Sequence, residues 1–565
     1  MTASPNKAAI DIEGLTIGDA FAQAVARFGA APFLEVPPQQ DRAYLPAGLR
    51  WTYADVAAEV QALEGRLTNA GYGHGHRIAV LTGNHPITLI IKLACARLGV
   101  SWVPINPDYR PAEIAYLLDD SAAALTFATP PFAPALTAGI DAAKRPVAMV
   151  TLADSVAALD ATLPRAATPA PHADTPVGGK SEASLIYTSG TTGKPKGCRM
   201  GHAYALAMGA WYANLGGRLA LSVGGERLYN PLPLFHVNAG ILSLFCMMLT
   251  GNALIIPERF SRRRWWADIA HANATCVHYL GIIVPALMNE PAGPHDRQHR
   301  IKFGLGGGVE PTLHRAFEDR FAFPLVEIWG MTEACRLLAD HIEPRHVGTR
   351  AIGHPHPTLQ VRVVDDADRD VPPGTPGEML VRYDATTPRK DHFLGYLNQD
   401  EATEHAWRGG WFHTGDAVRQ DENGLITFVE RKKNIIRRSG ENIAAAEVEA
   451  CLQAHPDVAQ VAVIAVPDAL RDEEVMACVM RRSRASDDDR APAQDESDAA
   501  LAQRLVAHAL EHLAYYKAPG WIVFLDTLPI TGTQKVLKHA IFPDGADPCT
   551  LETAHDLRAH KKRQA

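Results

Sequence analysis

Short apolar runs alternate with stretches of helical period along the first half of the chain. Ile78–Gly83 predicts a strand, Ile87–Leu98 a helix, Ser101–Ile105 a strand, Glu113–Leu118 a helix and Ala124–Ala128 a further strand. Strand–helix alternation of this kind predicts a parallel sheet covered on both faces. A stretch rich in Ala, Pro and Thr, Ala161–Lys180, reads as an exposed connection. A second alternating block follows. Its strands are Asn252–Ile256, Thr275–Leu280, Ile301–Leu305 and Leu325–Trp329, and its helices are Arg262–Ala272 and Thr312–Arg320. Two wound α/β subdomains side by side are expected.

From about His354 the pattern changes. Gln360–Val364 and Glu378–Arg382 flank a VPPGTPG turn, which predicts a small antiparallel, barrel-like subdomain. Beyond the basic run Glu430–Arg438, an α+β pattern begins: helix Ala446–Leu452, strands Val461–Val466 and Val475–Met480, and helix Ala499–Leu513. The polar, acidic stretch Ser483–Asp498 reads as a mobile loop. A boundary near Glu430 divides the chain into residues 1–430 and a smaller mobile domain, 431–565.

Length and charge narrow the function. A chain of 565 residues exceeds one hydrophobic core, in keeping with several packed units. The net charge of −8 argues against a general nucleic-acid binder, which carries a basic excess. No run reaches the ~18 apolar residues of a membrane span. Val237–Thr250 is shorter, is interrupted by Asn238 and Ser243, and reads as a buried helix. Asp11 and Glu13 sit where a signal peptide would place its apolar core, so a cytoplasmic protein is expected. The eight cysteines form no CxxC pair and no HExxH occurs, so neither a disulfide framework nor a zinc spacing is expected.

The chemistry concentrates in a few segments. In LIYTSGTTGKPKG, Leu185–Gly197, an apolar run ends at Thr188. From Thr188 to Gly197 there are three glycines, four hydroxyl residues and two lysines. Glycines let backbone N–H groups approach an anion, hydroxyls add donors and the lysines add charge, so the composition suits a phosphate cradle. It is not a Walker A loop, because two residues rather than four separate Gly190 from Gly193 and Pro195 follows Lys194.

This segment resembles the phosphate loop of the acyl-adenylate-forming (AMP-binding) superfamily, which includes acyl-CoA synthetases, luciferases and peptide-synthetase adenylation domains. Further segments agree with that family in order. Trp329-Gly330-Met331-Thr332-Glu333 resembles its YGxTE, with Trp for Tyr. Gly306-Gly307-Gly308-Val309 resembles its glycine-rich strand end. Thr414-Gly415-Asp416 resembles its ribose site, FVERKKN the residues that close over the nucleotide, Arg431-Lys432-Lys433 continuing into NIIRRSGENIAAAEVE its hinge and the start of its small C-terminal domain, and LPITGTQKVLKH its C-terminal motif. The stretches FSRRRWWADIAHANAT and NIIRRSGEN are similar to the crotonobetaine/carnitine–CoA ligase branch.

The resemblance implies an ATP-dependent acid–thiol ligase that uses magnesium, forms acyl-AMP with release of pyrophosphate, and transfers the acyl group to coenzyme A. It places Thr188, Ser189, Gly190, Thr191, Thr192, Gly193, Lys194 and Lys196 on the phosphates. It gives Gly307, Gly308, Val309, Ile328, Trp329, Gly330 and Met331 to the nucleotide, Asp416 to the ribose, and Phe428 and Arg431 to closing over it. Thr332 falls on the phosphates, Glu333 becomes the magnesium carboxylate and Lys535 the catalytic lysine. Lys433 is the hinge residue, Asn434 stands where many members carry Asp, and Gly440 lies on the loop that faces the active site during thioester formation. The basic residues Lys432, Lys433, Arg437 and Arg438 otherwise read as a solvated face.

His236, in PLFHVN, stands where amino-acid-activating relatives carry Asp, which argues for an acyl or aryl acid. With Tyr279, Gly281, Gly306, Gly307, Trp329 and Met331 it forms the candidate acid pocket. The partners implied are a small carboxylic acid and coenzyme A, with no nucleic acid and no membrane span; the assembly stays open, a homodimer included. Two alternatives remain at this stage: an adenylating enzyme with another acceptor, such as a carrier protein, and a non-catalytic nucleotide- or acyl-binding relative.

Overall fold

The computed structural model describes residues 10–157, 159, 162–188, 195–431, 434–438, 441–468, 471–482, 497–530, 536–543 and 546–561. The expected loop at 483–498 therefore lies outside the described residues except for its last two. The chain divides into two compact units. The first comprises residues up to Val361 with Val381–His413 and Gly424–Ile426; the second comprises Arg362–Leu380, Thr414–Asn423 and Thr427 onward.

Two sheets organise the first unit. One runs in the order Met149–Thr151, Leu125–Ala128, Arg77–Leu81, Ser101–Pro104, Glu182–Thr188, Lys196–Gly201 and Gly395–Tyr396. It is parallel as far as Glu182–Thr188 and antiparallel through the last two pairings. Helix Ile87–Arg97 is apolar on all sides, and Ile87–Ala96 are all buried, as a helix enclosed by the core must be. Lys92 is its one buried cation. Its Nζ donates to the Gly240 carbonyl at 2.8 Å and lies 4.2 Å from the Trp102 ring centroid. Burial pushes its pKa well below the usual range.

The second sheet runs Leu338–Ala339, Leu325–Trp329, Phe303–Gly307, Cys276–Leu280, Arg227–Tyr229, Ala253–Ile255, Pro32–Val36 and Leu49–Thr52. The strands expected in this block are present. Its far edge comes from the N-terminus: Leu34 pairs with Leu254 in parallel, although more than two hundred residues separate them. Two N-terminal helices, Ile17–Phe28 and Tyr53–Asn69, each start at a capping box, Thr16 with Asp19 and Thr52 with Asp55.

Helix Pro311–Phe321 is tied to the strand that follows it by Glu318. This carboxylate accepts the Leu325 N–H at 2.9 Å and both Arg345 Nη groups at 2.8 and 3.0 Å. Burial pushes the Glu318 carboxyl up, but His314, Arg345 and the Leu325 N–H outweigh it and hold the pKa at about 2. Because the folded value lies below the unfolded 4.5, the contribution is complete above that range and lost as pH falls through 2. Glu318→Gln is expected to remove about 2 kcal/mol of stability at neutral pH and to flatten the loss between pH 4.5 and 2. Urea unfolding across that range checks it; an unchanged acid limb would remove Glu318 from this role.

In the second unit, Asp472–Arg481 is central to a sheet in the order Glu441–Ala444, Ile435–Arg438, Asp472–Arg481, Trp521–Phe524 and Ala554–Asp556, with Val458–Asp468 also paired to it. Its alternate residues serve two cores. Val475, Ala477 and Val479 pack with helices Ala445–Gln453 and Asp498–His512, whereas Met476 and Cys478 pack with Val466, Val523 and Leu528. Arg438 corrects the solvated-face reading of the basic run. It is buried, and its Nε meets Glu474 Oε1 and Oε2 at 2.9 and 2.8 Å. Lys561, also buried, pairs with the same carboxylate and donates to the Tyr516 carbonyl at 3.2 Å.

Candidate functional site

Strand Glu182–Thr188 and strand Lys196–Gly201 form an antiparallel pair in which Thr188 faces Lys196. The phosphate-cradle residues Ser189, Gly190, Thr191, Thr192, Gly193 and Lys194 connect them and lie outside the described residues. Gly395–Tyr396 extends this pair on its far side, with Tyr396 opposite Cys198. Lys196 Nζ thereby sits 4.8 Å from the Tyr396 ring centroid. The Tyr396 hydroxyl donates to Glu333 Oε1 at 2.9 Å, and the Phe393 N–H donates to the Glu333 carbonyl at 3.2 Å. Glu333 is buried, and the adjacent Thr332 carbonyl accepts the Tyr204 hydroxyl at 2.8 Å. Burial pushes Tyr396 far above its usual pKa and the Glu333 charge adds to this, so the hydroxyl remains a donor. The structure thus brings Lys196 and Glu333 to Tyr396, which the motifs did not single out.

Trp329 ends its strand and is buried; Ile328 and Met331 are half-buried and Gly330 is exposed. No helix begins at Thr332-Glu333. The neighbouring strand carries the glycine run, where small size is required: a Cβ on Gly306 would lie 2.2 Å from the Tyr279 carbonyl oxygen, and one on Gly281 only 1.9 Å from that of Gly308. Glu327 pins this run. Its Oε2 accepts the Gly308 N–H at 2.8 Å, and its Oε1 accepts the Val309 N–H at 3.3 Å and the Tyr279 hydroxyl at 2.7 Å. Burial raises the Glu327 pKa against these donors. Glu327 also escaped the motif reading; its only signal was an acidic residue inside an apolar strand. Gly307 closes its strand, and its carbonyl accepts the Gly281 N–H at 3.0 Å.

His236 occupies the turn before a π-helical segment, Asn238–Ser243, that continues as helix Leu244–Thr250. Its carbonyl accepts the Gly240 N–H at 2.9 Å and its ring lies 4.4 Å from that of Phe235. Lys92, bonded to the Gly240 carbonyl, supports this turn from within the core.

Asp416, Phe428 and Arg431 belong to the second unit. Asp416 is buried on strand Phe412–Gln420, and Arg431 Nε, on Ile426–Arg431, lies 2.9 Å from its Oδ1. Thr414 braces this part of the strand: its hydroxyl donates to the Met379 carbonyl at 2.6 Å and accepts the Asp416 N–H at 3.1 Å. Phe428 is half-buried on the Arg431 strand. Lys433, Gly440 and Lys535 lie outside the described residues. At the expected hinge, Glu430 is the organising residue. Its Oε1 accepts the Arg431 N–H at 2.7 Å and the Asn434 side-chain amide at 3.3 Å, and its Oε2 accepts the Ala446 N–H at 2.7 Å. The last contact places a carboxylate at the N-terminus of helix Ala445–Gln453, where the helix dipole favours it. Asn434 in place of Asp thus contributes a donor to a carboxylate that a second acid would repel.

A large unit of two wound sheets with a smaller α+β unit, and an acid–tyrosine–lysine group beside a glycine- and hydroxyl-rich connection, define an adenylate-forming class of enzyme. The chain belongs to the AMP-binding enzyme family, which matches residues 22–389, and the AMP-binding enzyme C-terminal domain matches residues 447–535. It is 30% identical over 505 residues to the sulfoacetate–CoA ligase of Cupriavidus necator, covering 88% of this chain and 93% of that one. It is 27% identical over 504 residues to the crotonobetaine/carnitine–CoA ligase of Salmonella paratyphi A, covering 86% and 92%. Its fold matches o-succinylbenzoate CoA synthetase from Bacillus subtilis, solved with an acyl-adenylate intermediate, with a TM-score of 0.75 at 22% identity over 96% of this chain and 99% of that one. Among the described residues, no helix is long and apolar enough to cross a membrane.

Proposed function

We propose that this protein is an ATP-dependent ligase that activates a small carboxylic acid as its acyl-adenylate and transfers the acyl group to coenzyme A. The observation that carries this reading is the hydrogen bond from Tyr396 to the buried Glu333, beside Lys196. A carboxylate fixed next to a cation, beside a strand pair whose connection is rich in glycine and hydroxyls, suits a triphosphate and its counter-ion. The acceptor comes from the relatives, both named CoA ligases. His236 in place of an acid supports a substrate without an amine for it to pair with.

A carboxylate oxygen of the acid attacks the α-phosphorus of ATP. The bond to the bridging oxygen breaks and pyrophosphate leaves. Two anions must approach in line, so positioning and charge compensation dominate the barrier. Lys196 and the 188–194 segment hold the leaving phosphates, Asp416 accepts from the ribose hydroxyls, and Lys535 donates to the carboxylate and α-phosphate as charge develops. Thiolate attack on the acyl carbonyl then expels AMP, which keeps the oxygen that came from the acid. A single buried carboxylate fits magnesium, which binds through one or two carboxylates, water and substrate phosphates, and Glu333 would hold it. Bound there, magnesium neutralises charge on the phosphates. Functionally, residues 1–430 bind nucleotide and acid, and 431–565 act as the moving cap about Lys433, with Gly440 on the face presented for thioester formation.

A pyrophosphate-release screen over a panel of carboxylic acids, with and without coenzyme A, tests the reading. Acid-dependent pyrophosphate with coenzyme-A-dependent AMP and thioester is expected. Acid-dependent pyrophosphate that ignores coenzyme A would point to another acceptor, and no acid-dependent release would point to a binding protein. Tyr396→Phe removes one hydrogen bond to a charged group, worth about 1.5–3 kcal/mol. Adenylation is expected to fall about 10- to 100-fold, with the magnesium concentration for half-maximal rate raised. An unchanged rate and magnesium dependence would detach Tyr396 from Glu333 function.

A further inference from the structure

We propose that Cys451, His508 and His512 form a site for one divalent transition-metal ion of the zinc class on the paired helices of the second unit. Cys451 lies on helix Ala445–Gln453; His508 and His512, four residues apart, share one face of helix Asp498–His512. The helices pack together through Val448, Leu452, Leu501 and Leu505. One ligand atom from each of the three residues lies within 4.8 Å of the other two. Tetrahedral coordination with bonds of about 2.0–2.3 Å sets ligand atoms roughly 3.3–3.8 Å apart. Cys451 and His508 are half-buried and His512 is exposed, so the small closure required involves side chains with room to rotate.

The imidazoles are arranged as metal ligands commonly are. A nitrogen of each ring is engaged by a backbone carbonyl: His508 Nε2 with Cys451 at 3.1 Å, and His512 Nδ1 with His508 at 2.8 Å. A ring that donates its N–H to a carbonyl presents its other nitrogen as a lone pair, in a fixed tautomer. The donor set also selects the ion. One sulfur and two imidazoles suit zinc, cobalt, nickel or copper and do not suit magnesium or calcium. Three protein ligands leave a fourth position for water. Binding replaces the Cys451 thiol proton, which is released, so the complex carries one positive charge more than the metal-free site with its thiol protonated. None of the three residues belongs to the nucleotide machinery, and the bonds would tie helix Ala445–Gln453 to helix Asp498–His512.

The test uses the full, tag-free chain after chelator treatment. Zinc titration by calorimetry is expected to give one ion per chain. Cobalt is expected to produce visible d–d bands of tetrahedral intensity with a thiolate-to-metal charge-transfer band in the near ultraviolet. Cys451→Ser should abolish the charge-transfer band, and His512→Ala should weaken zinc binding at least about 10-fold. Matching thermal midpoints of the metal-free variants and parent would show that both fold. His508→Gln provides a third variant should either fail that check. No stoichiometric binding to the parent, or binding and spectra unchanged in the variants, would overturn the site and leave the three residues as a packed cluster, with the two histidine ring centroids 4.3 Å apart.

Discussion

Lys535→Ala is expected to lower adenylate formation by about 10²–10³ while largely sparing thioester formation from supplied acyl-AMP. The reasoning lies in where charge develops. In the first half-reaction a carboxylate approaches a phosphate, and a fixed ammonium between them is stabilising mainly in the transition state. In the second, a thiolate attacks a neutral acyl carbonyl and AMP departs, so an ammonium held for the first step has little to offset. Measured separately, acid-dependent pyrophosphate release should collapse, and coenzyme-A-dependent AMP release from acyl-AMP should stay within about twofold. Equal loss in both assays would remove Lys535 from the role and make it a general structural residue.

The second large effect concerns stability. Glu474→Ala is expected to destabilise the second unit by about 3–5 kcal/mol, because it leaves two buried cations without their carboxylate. Arg438, Glu474 and Lys561 are all within the interior, with Arg438 Nε 2.8 Å from Glu474 Oε2. Breaking such a group exposes the desolvation cost of the remaining charges, whereas removing it whole need not. The triple replacement Arg438→Met, Glu474→Leu, Lys561→Met is therefore expected to recover much of the loss. Hydrogen exchange of strand Asp472–Arg481 in the full chain reports it residue by residue. Protection in Glu474→Ala within about 1 kcal/mol of the parent would contradict the account.

The wound architecture was legible because strands buried on both faces appear as unbroken apolar runs with helices between them. Leu325–Trp329 and Gln360–Val364 fall where the pattern puts them. Local signals also existed for the N-terminal helices: Thr52 and Asp55 are a capping box in plain sequence, yet no reading of strand–helix alternation reaches that far. The pairing of Pro32–Val36 with Ala253–Ile255 was not legible, since register between distant segments is decided by tertiary packing rather than local pattern. The same holds at the site. Trp329, Thr332 and Glu333 announced themselves as a motif, whereas Tyr396 gains its role only because a two-residue strand places it opposite Cys198 and within reach of Glu333. Glu430 holds three donors that no spacing rule connects. The basic run misled at Arg438 for a geometric reason: its place on strand Ile435–Arg438 turns it inward onto Glu474 rather than toward a solvated face.

The central claim is that an acid oxygen becomes bonded to the α-phosphorus of ATP before any thioester forms. Turnover of a carboxylic acid labelled with ¹⁸O in its carboxylate, with ATP and coenzyme A, followed by mass spectrometry of the products, tests it most directly. Each AMP released should carry one labelled oxygen and pyrophosphate none. Label appearing in a phosphate or pyrophosphate product, with unlabelled AMP, would contradict the acyl-adenylate route.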